Sequence, residues 1–348
     1  ESAAGMVGGY ARVPAGPVIA MAPFNFPLNL VCHKVAPALA CGCPVVLKPA
    51  PQAPLTALML ADLVRQSGAP DNAFQVVPCE VAVAQKLVRD DRFATFSFTG
   101  SAKAGWFLKS IAGKKRVILE LGGNAAIIVH NDADRERALE RTLTSAFAYA
   151  GQVCIKAQRL FVHDDIYAGF VADLTKRASA LAPKDPLDPD ALVSSMIDEA
   201  NAVRVESWID EALRAGVERL AGLTRAGARI APTVLSVNSP RQLGLKVVAE
   251  EVFGPVLTVH RYQTWSDAIE QAGATRYGLQ AAIFTRDMGR VREAFDKLQV
   301  GGLIVNESPS FRVDAMPYGG SKDSGLGREG VRFAIEEMTE RKLLALRF

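Results

Sequence analysis

The residue best suited to nucleophilic chemistry in this sequence is Cys154, which lies in the segment AYAGQVCIKAQRL. A cysteine attacks as its thiolate, and Gly151 and Gln152 just upstream leave little side-chain bulk to keep a small molecule from the sulfur. Cysteines outside disulfides are also among the most buried residue types, and most of them only pack. The catalytic hypothesis for Cys154 therefore depends on the other residues of the chain.

Glu120 is the candidate general base. It ends the apolar run VILE, so its carboxylate is expected at the rim of a core. Gly122 and Gly123 follow soon after, and because they lack side chains the backbone can come close to this carboxylate. A partly desolvated carboxylate has a raised pKa and accepts protons near neutral pH. The alternative is a surface glutamate that ends a strand, and on Glu120 alone this alternative is favoured.

Asn25 is the candidate oxyanion donor. It lies between Pro23 and Pro27 in APFNFPLNL, where the prolines interrupt regular structure. A side-chain amide pinned in a rigid loop can donate to a developing oxyanion without reorganising. An asparagine between prolines is also an ordinary turn residue, and on Asn25 alone that interpretation is favoured.

The segment FSFTGSAKAG is a candidate phosphate site. A strand that ends at Gly100 and a helix that opens at Ser101 would place backbone N–H groups and a hydroxyl at a helix N-terminus, which favours bound phosphate. Gly100 and Gly105 do not match the stricter G-x-G-x-x-G fingerprint, so the signal is weak by itself. Lys48 ends a strand in the same half, and ligands of open α/β sheets bind at the carboxyl ends of strands.

Composition indicates a globular protein. The chain of 348 residues is long enough for about two domains. Its apolar content of 49% and charged content of 22% are ordinary for such proteins. The net charge is +3 and like charges do not cluster, which argues against a nucleic-acid face or a polybasic membrane patch. No apolar run reaches the length of a membrane span, and the first residues lack the pattern of a secretory signal.

The five cysteines are odd in number and irregularly spaced, which argues against a disulfide framework and for a reducing compartment, the cytoplasm. Cys41 and Cys43 could suggest a metal clip, but the four histidines are scattered and no second ligand pair follows at zinc spacing. We interpret both cysteines as small core residues and expect no metal.

Strands and helices alternate along most of the chain. Apolar strands such as PVIAM, PVVLKP, FATFSF and RVILEL are separated by helical segments, and the alternation restarts with AAIIV after Gly122 and Gly123. Strands separated by helices of this length pair in parallel through right-handed crossovers. The sequence therefore predicts an α/β fold with a Rossmann-like parallel-sheet cofactor domain and a second α/β domain that carries Cys154.

The C-terminal part of the chain departs from this alternation. The glycine-rich segment MPYGGSKDSGLGREG predicts a long surface loop, followed by a helix over 331–339 and a final strand LLALRF. An apolar terminal strand is an exposed edge unless something pairs with it. We expect this strand to pair with another element, including one on a second subunit.

In this order, the motifs resemble those of the aldehyde dehydrogenase superfamily, and the resemblance covers nearly the whole chain. It is closest to members that act on small polar or anionic aldehydes such as lactaldehyde, glyceraldehyde 3-phosphate (non-phosphorylating) and phosphonoacetaldehyde. The matching motifs are APFNFPLN, VVLKP, FTGS, LELGGN, GQVC, EEVFGP, YGL and PYGGSKDSGLGRE.

The resemblance implies oxidation of a small aldehyde to its carboxylate with NAD or NADP, through a cysteine thiohemiacetal and a thioester. Cys154 would attack the aldehyde, Asn25 and the Cys154 backbone N–H would hold the oxyanion, and Glu120 would activate water. The implied cofactor-binding residues are Lys48, Gly100, Ser101, Gly105, Glu251, Phe253, Pro23, Phe24, Leu121 and Gly122. The implied substrate-side residues are Arg312, Phe311 and Asn306, of which Asn306 supports the floor of the active site.

The resemblance also implies a division into four parts and a homodimer or homotetramer with a small β oligomerisation element. The parts are an oligomerisation strand segment (1–14), a dinucleotide-binding domain incomplete at its N-terminus (15–122), a catalytic domain (123–322), and a C-terminal part with a wrapping loop, a helix and an oligomerisation strand (323–348).

Three features depart from the family pattern. Pro51 stands where many NAD-dependent members carry a glutamate that binds the ribose hydroxyls, and without that carboxylate a 2′-phosphate is not repelled, so NADP is possible. The chain starts close to the first motif, whereas members usually have a longer N-terminal portion over the cofactor domain. Lys156 stands where small residues are common; it either lowers the pKa of Cys154 or points to solvent, and we favour an exposed lysine.

The substrate and two rival functions stay open. Arg312 suggests a guanidinium that binds a substrate anion, and a salt bridge with Asp314 is an equal alternative. One rival is an acylating dehydrogenase in which coenzyme A replaces water, against which Glu120 argues. The other is a non-catalytic protein on the same fold, which the short N-terminus suggests and the retained Cys154 and Glu120 oppose.

Overall fold

The computed structural model describes residues 5–222 and 224–347. These residues form two compact units. The first unit comprises the described residues up to Leu121 together with Val313–Gly319 and the residues from Leu326 onward, and the second comprises Gly122–Arg312 and Gly320–Gly325. The domain bounds and roles expected from the sequence remain predictions.

The elements are as follows. Those before Gly122 are β1 (Met6–Pro14), β2 (Val18–Met21), α1 (Asn29–Ala40), β3 (Val45–Lys48), α2 (Pro54–Gln66), β4 (Phe74–Val76), α3 (Val81–Arg89), β5 (Thr95–Thr99), α4 (Ala102–Ser110) and β6 (Arg116–Glu120). The second unit contains β7 (Ala125–Val129), α5 (Arg135–Phe147), β8 (Ala157–His163), α6 (Asp164–Ala180), α7 (Glu199–Arg214), β9 (Glu218–Ala221), β10 (Arg225–Ala226), β11 (Arg229–Ile230), β12 (Thr233–Val237), α8 (Lys246–Ala249), β13 (Val256–Tyr262), α9 (Trp265–Gly273), β14 (Tyr277–Gly278), β15 (Gln280–Phe284), α10 (Met288–Lys297), β16 (Gly302–Val305) and β17 (Ser321–Lys322). The chain continues with β18 (Gly325–Leu326), α11 (Val331–Glu337) and β19 (Thr339–Arg347).

Five neighbouring strands of the sheet in the first unit are parallel, in the order β6-β5-β2-β3-β4, and β18 is the sixth strand, beside β6. Strand β2 is buried along its whole length, as expected for a central strand covered by helices on both faces. In the register, Met21 lies opposite both Lys48 and Phe98, and Thr99 lies opposite Glu120. The ends of four neighbouring strands therefore meet at one carboxyl edge.

The sheet of the second unit has seven strands in the order β16-β15-β7-β8-β13-β12-β9, and only β9 runs antiparallel to its neighbour. Helices α5 and α6 cover one face around a core that includes Phe147, Phe170 and Phe284, all fully buried. The predicted α/β fold class, a Rossmann-like parallel-sheet domain plus a second α/β domain, is confirmed. The short strands between Glu218 and Val237 were not predicted.

Strands β1 and β19 form a separate antiparallel ribbon, paired from Met6 with Arg347 to Pro14 with Thr339. The sequence predicted that the last strand pairs with another element, and in the structure this element is β1 of the same chain. Tyr10 and Leu343 on this ribbon are 66% and 74% exposed, so the pairing leaves large apolar side chains uncovered. Within the described residues, no helix has both the length and the apolar character needed to cross a bilayer.

Candidate active site

The carboxyl edge of the first sheet gathers the residues that the sequence singled out in this half. Glu120 ends β6, Gly100 and Ser101 follow β5, Asn25 follows β2, and Lys48 ends β3. These four strands are consecutive neighbours in the sheet. The edge therefore carries a carboxylate, an amide, an ammonium and a helix N-terminus side by side, which is the place where open parallel sheets bind ligands.

Asn25 and Glu120 are both only 3% exposed. The interpretation of Glu120 as a surface glutamate is therefore wrong. Its Oε1 would lie 2.9 Å from a Cβ at Gly319, a glycine whose φ is +155°. A side chain at Gly319 would crowd this carboxylate, so the glycine leaves the space that Glu120 occupies.

Helix α4 begins in a way that suits a phosphate. Ser101 is the N-cap, and its hydroxyl accepts from the Ala104 N–H at 3.4 Å, while the first backbone N–H groups of any helix lack partners inside the helix. A Cβ at Gly105 would clash with the side chain of Leu121, so the glycine lets α4 lie close against this residue. Gly100 is equally constrained, since its Cβ would lie 2.6 Å from the ring of Phe98.

Sequence reasoning missed a buried ion pair in the same unit. The Lys34 ammonium donates to the Glu329 carboxylate at 2.9 Å and to the Ser97 hydroxyl at 3.1 Å, and Lys34 is fully buried. The signal was available, because Lys34 falls on the apolar stripe of α1 that contains Leu30 and Val31 at helical spacing. A lysine on a buried stripe predicts a buried carboxylate partner.

Cys154 lies at the amino edge of the sheet in the second unit, whereas the residues described above lie at the carboxyl edge of the first sheet. The turn that carries it directly precedes β8, and the residues before β7 and β13 flank it, so the site is at the amino ends of three neighbouring strands. Just upstream, Tyr149, Ala150 and Gly151 have φ values of +58°, +53° and +67°. Consecutive left-handed residues are costly for side-chain-bearing positions and persist where the surroundings hold them.

Close backbone packing fixes this turn. A Cβ at Gly151 would clash with the carbonyl of Gly254, and a Cβ at Gly123 would clash with the carbonyl of Cys154. Gln152 accepts from the backbone N–H of Ile197 at 2.9 Å. The cysteine itself is half-buried and carries a thiol, not a disulfide. The sulfur thus lies on a rigid support, as a nucleophile requires.

Glu251 lies beside the same turn. Its carboxylate accepts from the Gly123 N–H at 3.0 Å, and a Cβ at Gly122 would collide with the same carboxylate. Burial raises the pKa of Glu251 to about 7, and the Gly123 hydrogen bond and the charge of Lys156 oppose this rise. The next aromatic residue, Phe253, has a φ of +46°.

Lys156 is not the exposed lysine that we favoured from the sequence, because it is only 4% exposed. Its backbone N–H donates to the carbonyl of Val153, and its Nζ donates to the carbonyl of Val256 at 2.6 Å. Burial lowers the pKa of Lys156 to about 7, and the charge of Glu251 opposes this fall. The strand β8 starts one residue later and turns this side chain toward β13, which explains its burial.

The predicted substrate-side residues differ in their surroundings. Asn306 has a φ of +54°, and its amide both accepts from and donates to the backbone of Thr285, at 3.1 and 3.0 Å. This pairing fits the predicted supporting role. Arg312 is half-buried and Phe311 is 43% exposed. The carboxylate of Asp314, the alternative partner of Arg312, lies 3.2 Å from the His33 ring.

No group of three or more histidine, cysteine or carboxylate side chains among the residues described here could hold a metal ion. The sulfurs of Cys41 and Cys43 lie 3.7 Å apart, and Cys43 is buried against the carbonyl of Met338. The chemistry of the carboxyl edge of the first sheet fits a nucleotide. The capped helix start at Ser101 suits phosphate, and the Lys48 ammonium can donate to a hydroxyl. In the second unit, the Glu251 carboxylate can accept from a hydroxyl.

Comparison with known proteins supports the family assignment that the sequence motifs predicted. The model of the aldehyde dehydrogenase family matches residues 2–344, and the chain belongs to this family. The 3-sulfolactaldehyde dehydrogenase of Priestia aryabhattai is 44% identical over 337 residues, which are 96% of this chain and 70% of that protein. The membership of the aldehyde dehydrogenase superfamily that the sequence motifs predicted is thus confirmed.

Two solved structures have the same fold. Aldehyde dehydrogenase 21 from Physcomitrella patens, in complex with the reaction product succinate, superposes with a TM-score of 0.95 at 42% identity, covering 99% of this chain and 71% of that one. Glyceraldehyde-3-phosphate dehydrogenase GapN from Methanocaldococcus jannaschii, complexed with NADP, gives 0.94 at 36% identity, covering 99% and 75%. This chain is an NAD(P)-dependent aldehyde dehydrogenase that oxidises a small aldehyde to the carboxylate, and neither rival function is favoured.

Proposed function

We propose that Cys154 is the nucleophile of this oxidation, that Asn25 and the Cys154 backbone N–H stabilise the oxyanion, and that Glu120 is the general base. The main observation behind the proposal is the rigid turn that holds Cys154. The half-buried thiol follows a turn of left-handed residues, and the glycines in and beside this turn pack against backbone. A packing cysteine needs no such turn. The burial of Asn25 and Glu120 at one carboxyl edge supports their roles.

The chemistry follows from these roles. The Cys154 thiolate forms a bond to the aldehyde carbon, and the carbonyl oxygen becomes an oxyanion that receives hydrogen bonds from the Asn25 amide and the backbone N–H. A nicotinamide held here would supply the acceptor for the hydride that leaves this carbon, and Cys154 would then carry a thioester. Glu120 takes a proton from water as the water attacks the thioester carbon. The carbon–sulfur bond breaks, the carboxylate leaves, and the thiolate is restored.

For the cofactor, we propose that Ser101 and the start of α4 bind the pyrophosphate, that Lys48 binds the adenine-side ribose, and that Glu251 binds the nicotinamide ribose. We further propose that Gly100, Gly105, Leu121 and Gly122 let the backbone approach it, and that Pro23, Phe24 and Phe253 pack against it. Pro51 is exposed in the turn after β3 and brings no carboxylate to repel a 2′-phosphate. NADP is therefore accepted as well as NAD.

For the substrate, we propose a small aldehyde that carries an anionic group. The sulfonate in the name of the Priestia relative and the succinate bound to the moss enzyme are both anions beside a short carbon chain. The half-buried Arg312 supplies a planar guanidinium, which can bind a carboxylate, sulfonate or phosphate through two parallel hydrogen bonds. Phe311 lies next to it in sequence and adds apolar surface.

We also propose a cytoplasmic homodimer or homotetramer. The exposed apolar side chains on the β1–β19 ribbon support assembly, because large apolar patches on protein surfaces mark interfaces. The cysteine content supports a reducing compartment, since all five cysteines carry thiols.

The proposed function is tested with a panel of short aldehydes, neutral and anionic, assayed with NAD and with NADP by near-ultraviolet absorbance. We expect turnover with both cofactors, a higher kcat/KM for the anionic aldehydes, and no turnover by Cys154→Ala. Addition of coenzyme A should not raise the rate, because water is the acceptor of the acyl group. If turnover requires coenzyme A, the acyl group is transferred to coenzyme A, and hydrolysis assisted by Glu120 is ruled out.

A further inference from the structure

Lys156 occupies an unusual place for a lysine. It lies two residues after the proposed nucleophile, it is almost completely buried, and within the described chain it has no carboxylate within ion-pair distance. Burying an ammonium without a carboxylate to pair with it costs free energy, whereas an alanine or serine at this position would carry no such cost. The position therefore requires an explanation beyond packing.

The side chain of Lys156 holds one end of the loop that carries Glu251. Its Nζ donates to the carbonyl of Val256, where that loop joins β13. Gln158, on the same face of β8, donates to the carbonyl of Glu250 at 2.6 Å and accepts from the N–H of Val252 at 2.9 Å. Lys156, just before β8, and Gln158, within it, thus fix both ends of the Glu251 loop directly downstream of the nucleophile.

The charged groups around Glu251 come from three parts of the fold. Lys156 precedes β8, Arg204 on α7 donates to the carbonyl of Val252, and Arg276 before β14 pairs with Glu250. The phenol of Tyr277 and the carboxylate of Asp198 at the start of α7 are further titratable groups in this region. Arg204 donates to a backbone carbonyl, and Arg276 pairs with Glu250. Of these three cations, Lys156 is the only one that is buried.

We propose that Lys156 is a positioning residue for Glu251: its buried ammonium, bound to the Val256 carbonyl, holds the loop that presents the Glu251 carboxylate to the nicotinamide-side ribose. The inference rests on the proposed role of Glu251 in cofactor binding. An ionised carboxylate accepts hydrogen bonds through both oxygens, whereas a protonated one loses part of this capacity.

The titration of the two groups agrees with this geometry. Burial moves the pKa of Glu251 up and the pKa of Lys156 down, each to about 7, and each charge opposes the shift of the other. Two groups coupled in this way titrate as a pair. Removal of the lysine charge removes one of the contributions that lower the pKa of Glu251, so its ionisation moves to higher pH.

The test is a fluorescence titration of NADH and NADPH into the protein between pH 6 and 9. Wild-type affinity should fall as the pH decreases and Glu251 becomes protonated. In Lys156→Gln, which removes a buried charge and keeps a donor for Val256, the midpoint of this fall should move up by about one pH unit. Affinity should then be weaker near pH 7 and equal to wild type near pH 9. Lys156→Met, which also loses the hydrogen bond, should show the same shift.

Two comparisons make the result decisive. In a Glu251→Gln background, Lys156→Gln should leave the pH profile unchanged, because the titrating carboxylate is gone. The pH profile of Cys154 alkylation by iodoacetamide should not move in Lys156→Gln. A loss of affinity that is equal at every pH, an unchanged midpoint, or a shifted alkylation profile would each overturn the proposal. Wild-type protein that binds neither nucleotide at any pH would instead remove the proposed role of Glu251 and this inference with it.

Discussion

The Lys34 ammonium and the Glu329 carboxylate form an ion pair of 2.9 Å in which neither side chain is more than 2% exposed. The pair connects α1 to the turn before α11, which packs against α1 within the first unit. The Ser97 hydroxyl in the middle of β5 also accepts from the ammonium. A buried pair of this kind is strongly sensitive to loss of one partner, because the other charge stays buried. The His33 ring, 3.7 Å from the Glu329 carboxylate, offsets that charge only when it is protonated.

The first prediction concerns this pair. Lys34→Met should lower the free energy of unfolding of the first unit by on the order of 3–5 kcal/mol, as measured by urea unfolding. The double variant Lys34→Met with Glu329→Gln should recover part of the loss, since it leaves no uncompensated charge. A loss below about 1 kcal/mol in the single variant would show that water or another group compensates Glu329.

The second prediction concerns the turn before the nucleophile. Gly151 has a φ of +67°, and its added Cβ would clash with the Gly254 carbonyl. Gly151→Ala should therefore displace the turn and lower kcat by about 100-fold, because misplacement of about 1 Å at a reacting atom has such an effect. Binding of NADH or NADPH should change much less.

Gly216 provides the matched control. Its φ of +80° is similar, but nothing lies within 4 Å of the position of its Cβ. Gly216→Ala should cost about 1 kcal/mol of stability through backbone strain and leave kcat unchanged. Equal kcat in both variants would mean that the rigidity of the turn is irrelevant to catalysis.

The third prediction is a dependence of stability on pH. Because the folded protein raises the pKa of Glu251 to about 7, it binds this proton more tightly than the unfolded chain does. Ionisation of Glu251 therefore destabilises the fold, and this cost grows as the pH rises from the ordinary carboxyl range to about 7. Glu251→Gln should gain stability relative to wild type over this range, on the order of 1–3 kcal/mol, while NADPH binding weakens.

Glu250→Gln is the control for this measurement, since Glu250 pairs with Arg276 at the surface. Its effect should stay within about 1 kcal/mol and should not follow the same pH profile. If Glu251→Gln and wild type keep a constant stability difference across this pH range, the carboxylate is not desolvated as described.

The fourth prediction concerns substrate charge. Arg312→Ala should raise KM for an anionic short aldehyde by about 10- to 100-fold, the effect of losing a charge-assisted hydrogen bond, and leave KM for a neutral aldehyde such as propanal unchanged. Arg332→Ala, which removes an exposed arginine paired with Glu336, is the control. Equal effects on both kinds of aldehyde would rule out a contact between Arg312 and the substrate anion.

Much of this architecture could be predicted from the sequence. Alternating strands and helices placed Lys48, Ser101 and Glu120 at strand ends, and parallel pairing brought these ends to one edge. The second unit was less predictable, because the family motif located Cys154 but not the amino edge on which its turn lies. Local sequence does not report which backbone segments pack against a turn.

The burial of Lys156 and the Lys34–Glu329 pair were missed for a related reason. Both lysines are satisfied by groups distant in sequence, a carbonyl at Val256 and a carboxylate at Glu329. The intrachain pairing of β1 with β19 also joins the two ends of the described chain. Such contacts depend on tertiary structure, and a single sequence contains only weak signals for them.

The most direct test of the account uses Glu120→Gln mixed with aldehyde and NAD or NADP in a single turnover. Slow hydrolysis should let the acyl-enzyme accumulate, so that about one equivalent of NADH or NADPH appears in a burst. Mass spectrometry of the quenched protein should then find the acyl group on the peptide that contains Cys154. An acyl group on another cysteine, or wild-type turnover by Cys154→Ala, would contradict the central claim.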